Sequence, residues 1–225
     1  MSASATVVKG IIFDLDGTLY RMPWHMKPLL FARLLPHGLR LGAYMAVRRS
    51  VAGQDFGSGQ ALMAAMGERL GRASGITAEQ AHAWIVGPFY ASFIALMGLL
   101  RDSRPGLTQM LQTLGQRGLR LGVLSDFNRV RGRLERLGLD LALFDAVGSS
   151  EEYGCLKPGP RPFLQMAERF GLAPAQVLVI GDRDDTDGAG ARAAGMQFLR
   201  LRDGRGKGMR WSRLRQHLEE LPAVR

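Results

Sequence analysis

Apolar and polar positions alternate along this chain in two different ways. Over most of its length, short apolar runs end abruptly in polar residues. Residues 10–13 (GIIF) lead into Asp14-Leu15-Asp16-Gly17-Thr18. Residues 119–124 (LRLGVL) lead into Ser125-Asp126, and residues 177–180 (VLVI) into Gly181-Asp182. Residues 146–148 and 196–201 are two further runs of this kind. Short β-branched runs bounded by glycine and acids predict strands covered on both faces. Between them lie amphipathic stretches closed by glycine: 105–116 before Gly118, 129–137 before Gly138, 160–170 before Gly171 and 188–194 before Gly195. Residues 209–221 close the series with Trp211, Leu214, Leu218 and Leu221 at helical spacing. Strands alternating with helices predict an α/β fold with a parallel sheet.

Residues 22–100 follow another rhythm, with helical periodicity and no strand signal. Pro23 can open a first helix, and His37-Gly38 divides the run in two. A glycine-rich loop spans residues 53–59. Leu62, Met66 and Leu70 then share one helical face. Thr77 with Gln80 three positions later forms a capping-box signature. The helix it opens carries Trp84, Ile85, Phe89, Phe93 and Leu96, with Pro88 set to kink it. The expected layout is one α/β domain, residues 1–20 and 101–225, with an all-helical domain, residues 21–100, inserted after the first strand.

Composition narrows the setting. A chain of 225 residues with 46% hydrophobic and 22% charged residues suits a globular protein with a sizeable core. A single cysteine, Cys155, excludes an internal disulfide framework. No leader-like N-terminus or membrane-length apolar run is present, so a cytoplasmic location is expected. The net charge is +10, carried mostly by arginine. No nucleic-acid recognition motif accompanies it, so no specific nucleic-acid partner is expected. The cations are concentrated in one place that changes the picture: residues 20–53 hold six and no acid. That stretch, apolar and basic together, suggests weak contact with an anionic surface.

The chemistry resides where the strands end. In a parallel sheet, Asp14 and Asp16, Ser125 and Asp126, and Asp182 all fall along one edge. Lys157, in the loop GCLKPGP, precedes a helix on the same side. At least three carboxylates, a hydroxyl and an ammonium would share one cleft. Crowded carboxylates repel unless a cation joins them, and hard oxygen ligands suit Mg²⁺. Such a set fits phosphoryl transfer, in which the protein positions groups and neutralises charge.

FDLDGT, the strand ending in Ser125, Lys157-Pro158 and GDRDDTDGAGARAAGM together resemble, in order, the four motifs of the haloacid dehalogenase (HAD) superfamily. The resemblance covers the α/β domain from Val7 to about Leu201. It implies a Rossmann-like core with an inserted helical cap of the family's type 1, and a hydrolase. Asp14 resembles the nucleophile that forms an aspartyl-phosphate. Asp16 resembles the general acid/base and would offer its backbone carbonyl to Mg²⁺. Thr18 and Ser125 would hydrogen-bond around the reacting group, and Lys157 would neutralise charge there. Asp14, Asp182 and Asp187 would complete the Mg²⁺ ligands. The family's dehalogenases lack an Asp at the position of Asp16, so the resemblance implies a phosphatase acting on a small phosphorylated substrate. A phosphotransferase or phosphomutase with the same intermediate, or a binding protein on the same scaffold, are the alternatives.

Two features depart from the family pattern. Asp126 stands where many members carry Asn; its carboxylate would repel a phosphoryl group, so only its backbone N–H is expected to face the substrate. Asp184 and Asp185 add charge between Asp182 and Asp187 and are expected to be solvated. Cys155 reads as a small packed hydrophobe, and the four histidines show no metal-ligand spacing.

Overall fold

A computed structural model describes residues 7–99, 103–203 and 207–224. Five strands form one parallel sheet: β1 (Gly10–Phe13), β2 (Arg120–Ser125), β3 (Ala146–Ser149), β4 (Val177–Gly181) and β5 (Gln197–Arg200), in the order β3-β2-β1-β4-β5. β1 is central, with Ile11 paired to Leu121 on one side and to Leu178 on the other. The strand order reverses at β1, which opens a crevice at its carboxyl end.

Side chains alternate across the sheet. Ile11 and Phe13 join one apolar cluster with Leu121, Val123 and Ile180. Ile12 joins the opposite cluster with Leu124, Val179, Phe163 and Phe170. Both faces are covered, and for that reason the strands read as unbroken apolar runs.

The insertion carries α1 (Met26–Leu34), α2 (Arg40–Val51), α3 (Gly59–Ser74), α4 (Ala78–Trp84) and α5 (Tyr90–Met97). The α/β part adds α6 (Leu107–Gln116), α7 (Val130–Arg136), α8 (Arg161–Phe170), α9 (Ala189–Ala193) and α10 (Trp211–Glu219). α8 and α9 cover the Ile12 face, while α6, α7 and α10 cover the other. Tyr20 and Ser103 form an antiparallel bridge where the chain leaves the sheet domain and returns to it. The expected boundary at residues 100 and 101 lies outside the described residues.

Most expected signals hold in the insertion. The Thr77–Gln80 capping box is complete, and Leu62, Met66 and Leu70 are fully buried. Pro88 sits in a π turn, Ile85–Phe89, that separates α4 from α5. Pro23 does not open a helix. α1 begins at Met26, whose N–H donates to the Pro23 carbonyl at 3.1 Å. Tyr44, Trp84, Phe89, Tyr90 and Phe93 build an aromatic centre continuous with the Ile11 side of the sheet. The glycine-rich loop docks on the loop that leads to Lys157: Gly53 N–H donates to Leu156 O at 3.1 Å, and Phe56 N–H to Gly154 O at 2.9 Å. This contact ties the insertion to the crevice.

Candidate active site

Asp14 continues β1, and its N–H donates to Ile180 O at 2.8 Å. The chain then turns at Gly17, whose φ is +86°. A Cβ there would lie 2.6 Å from Asp182 Oδ2, so the turn requires glycine both for its backbone and for space. After β4 a π turn, Asp184–Gly188, carries the chain back over the strand end. Its Asp187 packs so closely on Gly181 that a Cβ at Gly181 would collide with the carboxylate. These two glycines bring Asp14, Asp182 and Asp187 together. One oxygen from each can be chosen so that all three lie within 4.8 Å of one another.

Lys157 enters from the loop before α8 and is only 3% exposed. Its ammonium donates to Asp14 Oδ1 at 2.8 Å, Asp187 Oδ1 at 2.7 Å and Leu124 O at 2.9 Å, which uses all three protons. Thr18 Oγ1 donates to Asp14 Oδ2 at 3.1 Å. Asp14 and Asp187 thus share one buried ammonium, with the half-buried Asp182 beside them. Burial pushes the Asp14 carboxyl well above the usual range, and neighbouring Asp187 adds to the rise although Lys157 opposes it. Burial and Asp187 push Asp182 up to about 6. Lys157 is held charged by Asp14 and Asp187 despite its own burial. The donor set is all hard oxygen with surplus negative charge, which fits a divalent cation such as Mg²⁺.

Asp16, two residues on, has a different environment. Its carboxylate pairs with the Arg133 guanidinium and accepts a hydrogen bond from the Tyr20 hydroxyl. Ser125 Oγ donates to Asp16 Oδ2 at 3.0 Å and itself accepts from Arg133 Nη1 at 3.0 Å. Burial pushes the Asp16 carboxyl up, but the Arg133 charge and these hydrogen bonds outweigh it and hold the group below its usual value. Its carboxylate is not part of the cluster formed by Asp14, Asp182 and Asp187.

The remaining residues singled out by the sequence have other partners. The Asp126 carboxylate is engaged locally: Oδ1 accepts the Lys157 backbone N–H at 2.9 Å, and Oδ2 lies 3.8 Å from Arg48. Asp184 and Asp185 are exposed and pair with Arg192 and Arg183. Cys155 is buried, which pushes its thiol up.

Sequence reasoning missed Arg133, and with it a second buried group. Arg48 from α2 pairs with Glu151, which follows β3; the Tyr44 and Tyr90 hydroxyls donate to the same carboxylate. Arg48 Nη2 also donates to Asp126 O at 2.9 Å, and its guanidinium lies 3.9 Å from the Phe127 ring centre. A signal for both arginines was present. Val130, Leu134 and Leu137 form the buried stripe of their helix, and Arg133 falls within it at helical spacing. Tyr44, Val47, Arg48 and Val51 likewise form the buried stripe of α2. Glu151 carries no comparable signal.

The fold and this strand-end cluster define a class. The haloacid dehalogenase-like hydrolase family matches residues 8–195, and the chain belongs to that family, among its phosphatase-like members. A phosphoglycolate phosphatase of Rhodospirillum rubrum is 33% identical over 198 residues, 85% of this chain and 78% of its own length. A glyceraldehyde 3-phosphate phosphatase of Methanopyrus kandleri is 37% identical over 103 residues, 45% of this chain and 44% of its own length. Among solved structures, the β-phosphoglucomutase of Clostridium difficile superposes with a TM-score of 0.65 at 17% identity, covering 95% of this chain and 98% of its own, a likeness of fold.

Proposed function

We propose that this protein is a Mg²⁺-dependent phosphatase that cleaves a small phosphate monoester through an aspartyl-phosphate on Asp14. The observation that carries this reading is the excess of acidic groups at the strand ends, where the buried Asp14 and Asp187 and the half-buried Asp182 gather around the single ammonium of Lys157. The names of two relatives, phosphatases of phosphoglycolate and of glyceraldehyde 3-phosphate, support a small phosphorylated substrate. Residues 21–100 would act as a cap that closes over the α/β domain, residues 1–20 and 101–225.

Asp14, Asp182 and Asp187, with the Asp16 carbonyl, would hold the cation. A bound Mg²⁺ would supply positive charge against these carboxylates and the substrate, which favours the ionised form of Asp14. A carboxylate oxygen of Asp14 attacks phosphorus, and the bond from phosphorus to the ester oxygen breaks. Asp16 gives that leaving oxygen a proton. Water then attacks the aspartyl-phosphate, with Asp16 taking the water's proton, and inorganic phosphate leaves. Lys157 keeps Asp14 in place and offsets charge, and Thr18 orients its second oxygen. Ser125 acts through Asp16, to which its hydroxyl donates. The Asp126 backbone N–H would face the phosphoryl group, since its carboxylate is engaged by Lys157 and Arg48. The Arg133 pair favours ionised Asp16, the form that serves the water step. The acid step requires that pair to loosen as substrate enters.

A panel of small phosphate esters, assayed with and without Mg²⁺, tests the reading. The wild type should release phosphate only with the metal, and Asp14→Asn should be inactive. Equal release by the variant, or release unaffected by chelation, would overturn it. Phosphate recovered on an added sugar rather than in water would indicate a phosphotransferase.

A further inference from the structure

The outer side of α1 is apolar where a surface helix should be polar. Helical spacing sets Met26, Leu30 and Leu34 on one side, against the rest of the insertion, with Met26 and Leu34 buried. The opposite side presents Pro28, Ala32 and Leu35 to solvent, with Leu29 and Phe31 on its shoulders, and all five are exposed. A helix with apolar residues on two opposite sides ordinarily has both covered; this one is covered on one side only. The pattern continues at both ends, where Trp24 is 85% and Leu39 73% exposed. Of nine large hydrophobic side chains exposed among the described residues, five lie between positions 24 and 39.

The charge within this segment is all of one sign, and the acid nearest its start, Asp203, is paired with Arg21 and Arg104. Lys27 and Arg33 lie on the two flanks of α1, and Arg40 and Arg49 follow on α2. Residues 20–53 contain no Asp or Glu. A second copy of the chain would bring the same cations against themselves, so self-association through this face is disfavoured by repulsion. An anionic bilayer supplies what the face lacks, an apolar layer for the outer side chains and negative headgroups for the flanking cations, whose stems can lie along the interface. α1 has nine residues, about 14 Å at 1.5 Å per residue, too short for a hydrocarbon core of about 30 Å. Among the described residues no helix is long and apolar enough to cross a membrane.

We propose that segment 24–40 of the insertion is a membrane-surface anchor that seats the protein on an anionic bilayer, with the outer side of α1 in the headgroup boundary. Flotation with vesicles of phosphatidylcholine alone, and of phosphatidylcholine mixed with phosphatidylglycerol, tests it. The protein should float with the mixed vesicles only, and its binding should weaken about tenfold between ~50 and ~500 mM salt. Trp24 supplies a second readout, because Trp84 and Trp211 are buried. Its emission should move to shorter wavelength with mixed vesicles, and the shift should vanish in Trp24→Phe. The triple variant Phe31→Ser, Leu35→Ser, Leu39→Ser should bind at least about tenfold more weakly and hydrolyse p-nitrophenyl phosphate as the wild type does. Three results would each overturn the proposal: no flotation and no Trp24 shift with mixed vesicles, undiminished flotation of the triple variant, or a wild-type dimer in sedimentation velocity that the triple variant dissolves.

Discussion

Two buried groups of charge lie on either side of Asp126, and they are balanced differently. At the sheet edge, Asp14, Asp182 and Asp187 face the single ammonium of Lys157. In the seam between the insertion and the α/β domain, Glu151 meets one guanidinium, Arg48, and two phenols, Tyr44 and Tyr90. The seam carboxylate is hydrogen-bonded on both oxygens and paired with Arg48, which also lies 3.8 Å from the Asp126 carboxylate, whereas the edge sets three carboxylates against one ammonium. Burial is therefore not the mark of a functional site, since both groups are buried. The mark is a charge imbalance that the fold maintains against its own stability.

The largest expected effect separates the two groups by activity. Asp14→Asn should lower kcat/KM by about 10⁴-fold or more, while the melting temperature of the metal-free protein stays nearly level, because burial and Asp187 already oppose the charged form of Asp14. A marked loss of stability would place Asp14 with the structural ion pairs instead. The seam should behave in the opposite way. Glu151→Gln leaves Arg48 buried without its anion and should cost about 3 kcal/mol in denaturant unfolding, with the chemical step changed far less than by Asp14→Asn. Arg48→Met with Glu151→Leu should recover part of that loss, since an apolar pair needs no desolvation, although the Tyr44 and Tyr90 hydroxyls lose their acceptor. If the double variant is no more stable than Glu151→Gln, the seam is not a balanced pair.

Arg133 sharpens the contrast at Asp16. Arg133→Met removes the charge that opposes burial, so the Asp16 carboxyl should rise. The acid limb of the pH–rate profile should move to higher pH, and kcat should fall about 10- to 100-fold with KM less affected. Arg133→Lys should restore part of both. An unmoved limb would show that the pair does not set the state of Asp16.

The smallest effect concerns Asp182, whose folded pKa of about 6 lies above its ordinary 3.8. The folded state then binds more protons than the unfolded state between these values. The stabilising contribution is full below the ordinary value and is lost as pH rises through about 6. Metal-free protein should therefore gain about 1 kcal/mol as pH falls from 7 to 5. Saturating Mg²⁺ should remove that gain, because the metal competes with the proton for the same oxygens. An identical slope with and without Mg²⁺ would place the cation elsewhere.

Much of this architecture was legible in the sequence for a simple reason. Parallel strands buried on both faces leave apolar runs with polar ends, and topology carries those ends to one edge. Asp14 and Lys157 are far apart in the chain, yet a parallel sheet whose strand ends share one edge leads to the expectation that they occupy one cleft. Less legible were contacts that depend on side-chain packing between elements. Arg48 and Arg133 read as solvated cations by residue type, although their places in the apolar stripes of their helices pointed inward. Glu151 lies in a turn after β3, where no periodicity exists to mark it. The Asp126 carboxylate faces the Lys157 backbone, a loop-to-loop contact that no local pattern encodes. Pro23 could have opened α1, but the helix starts three residues later, at Met26.

The most direct test is to map a trapped phosphoenzyme. Protein exposed to a small phosphate ester with Mg²⁺, quenched in acid and digested, should carry one phosphoryl group on the peptide containing Asp14. Without Mg²⁺, or in Asp14→Asn, that peptide should be unmodified. A phosphoryl group located on another residue, or retained by the Asp14→Asn protein, would contradict the assignment of Asp14 as nucleophile.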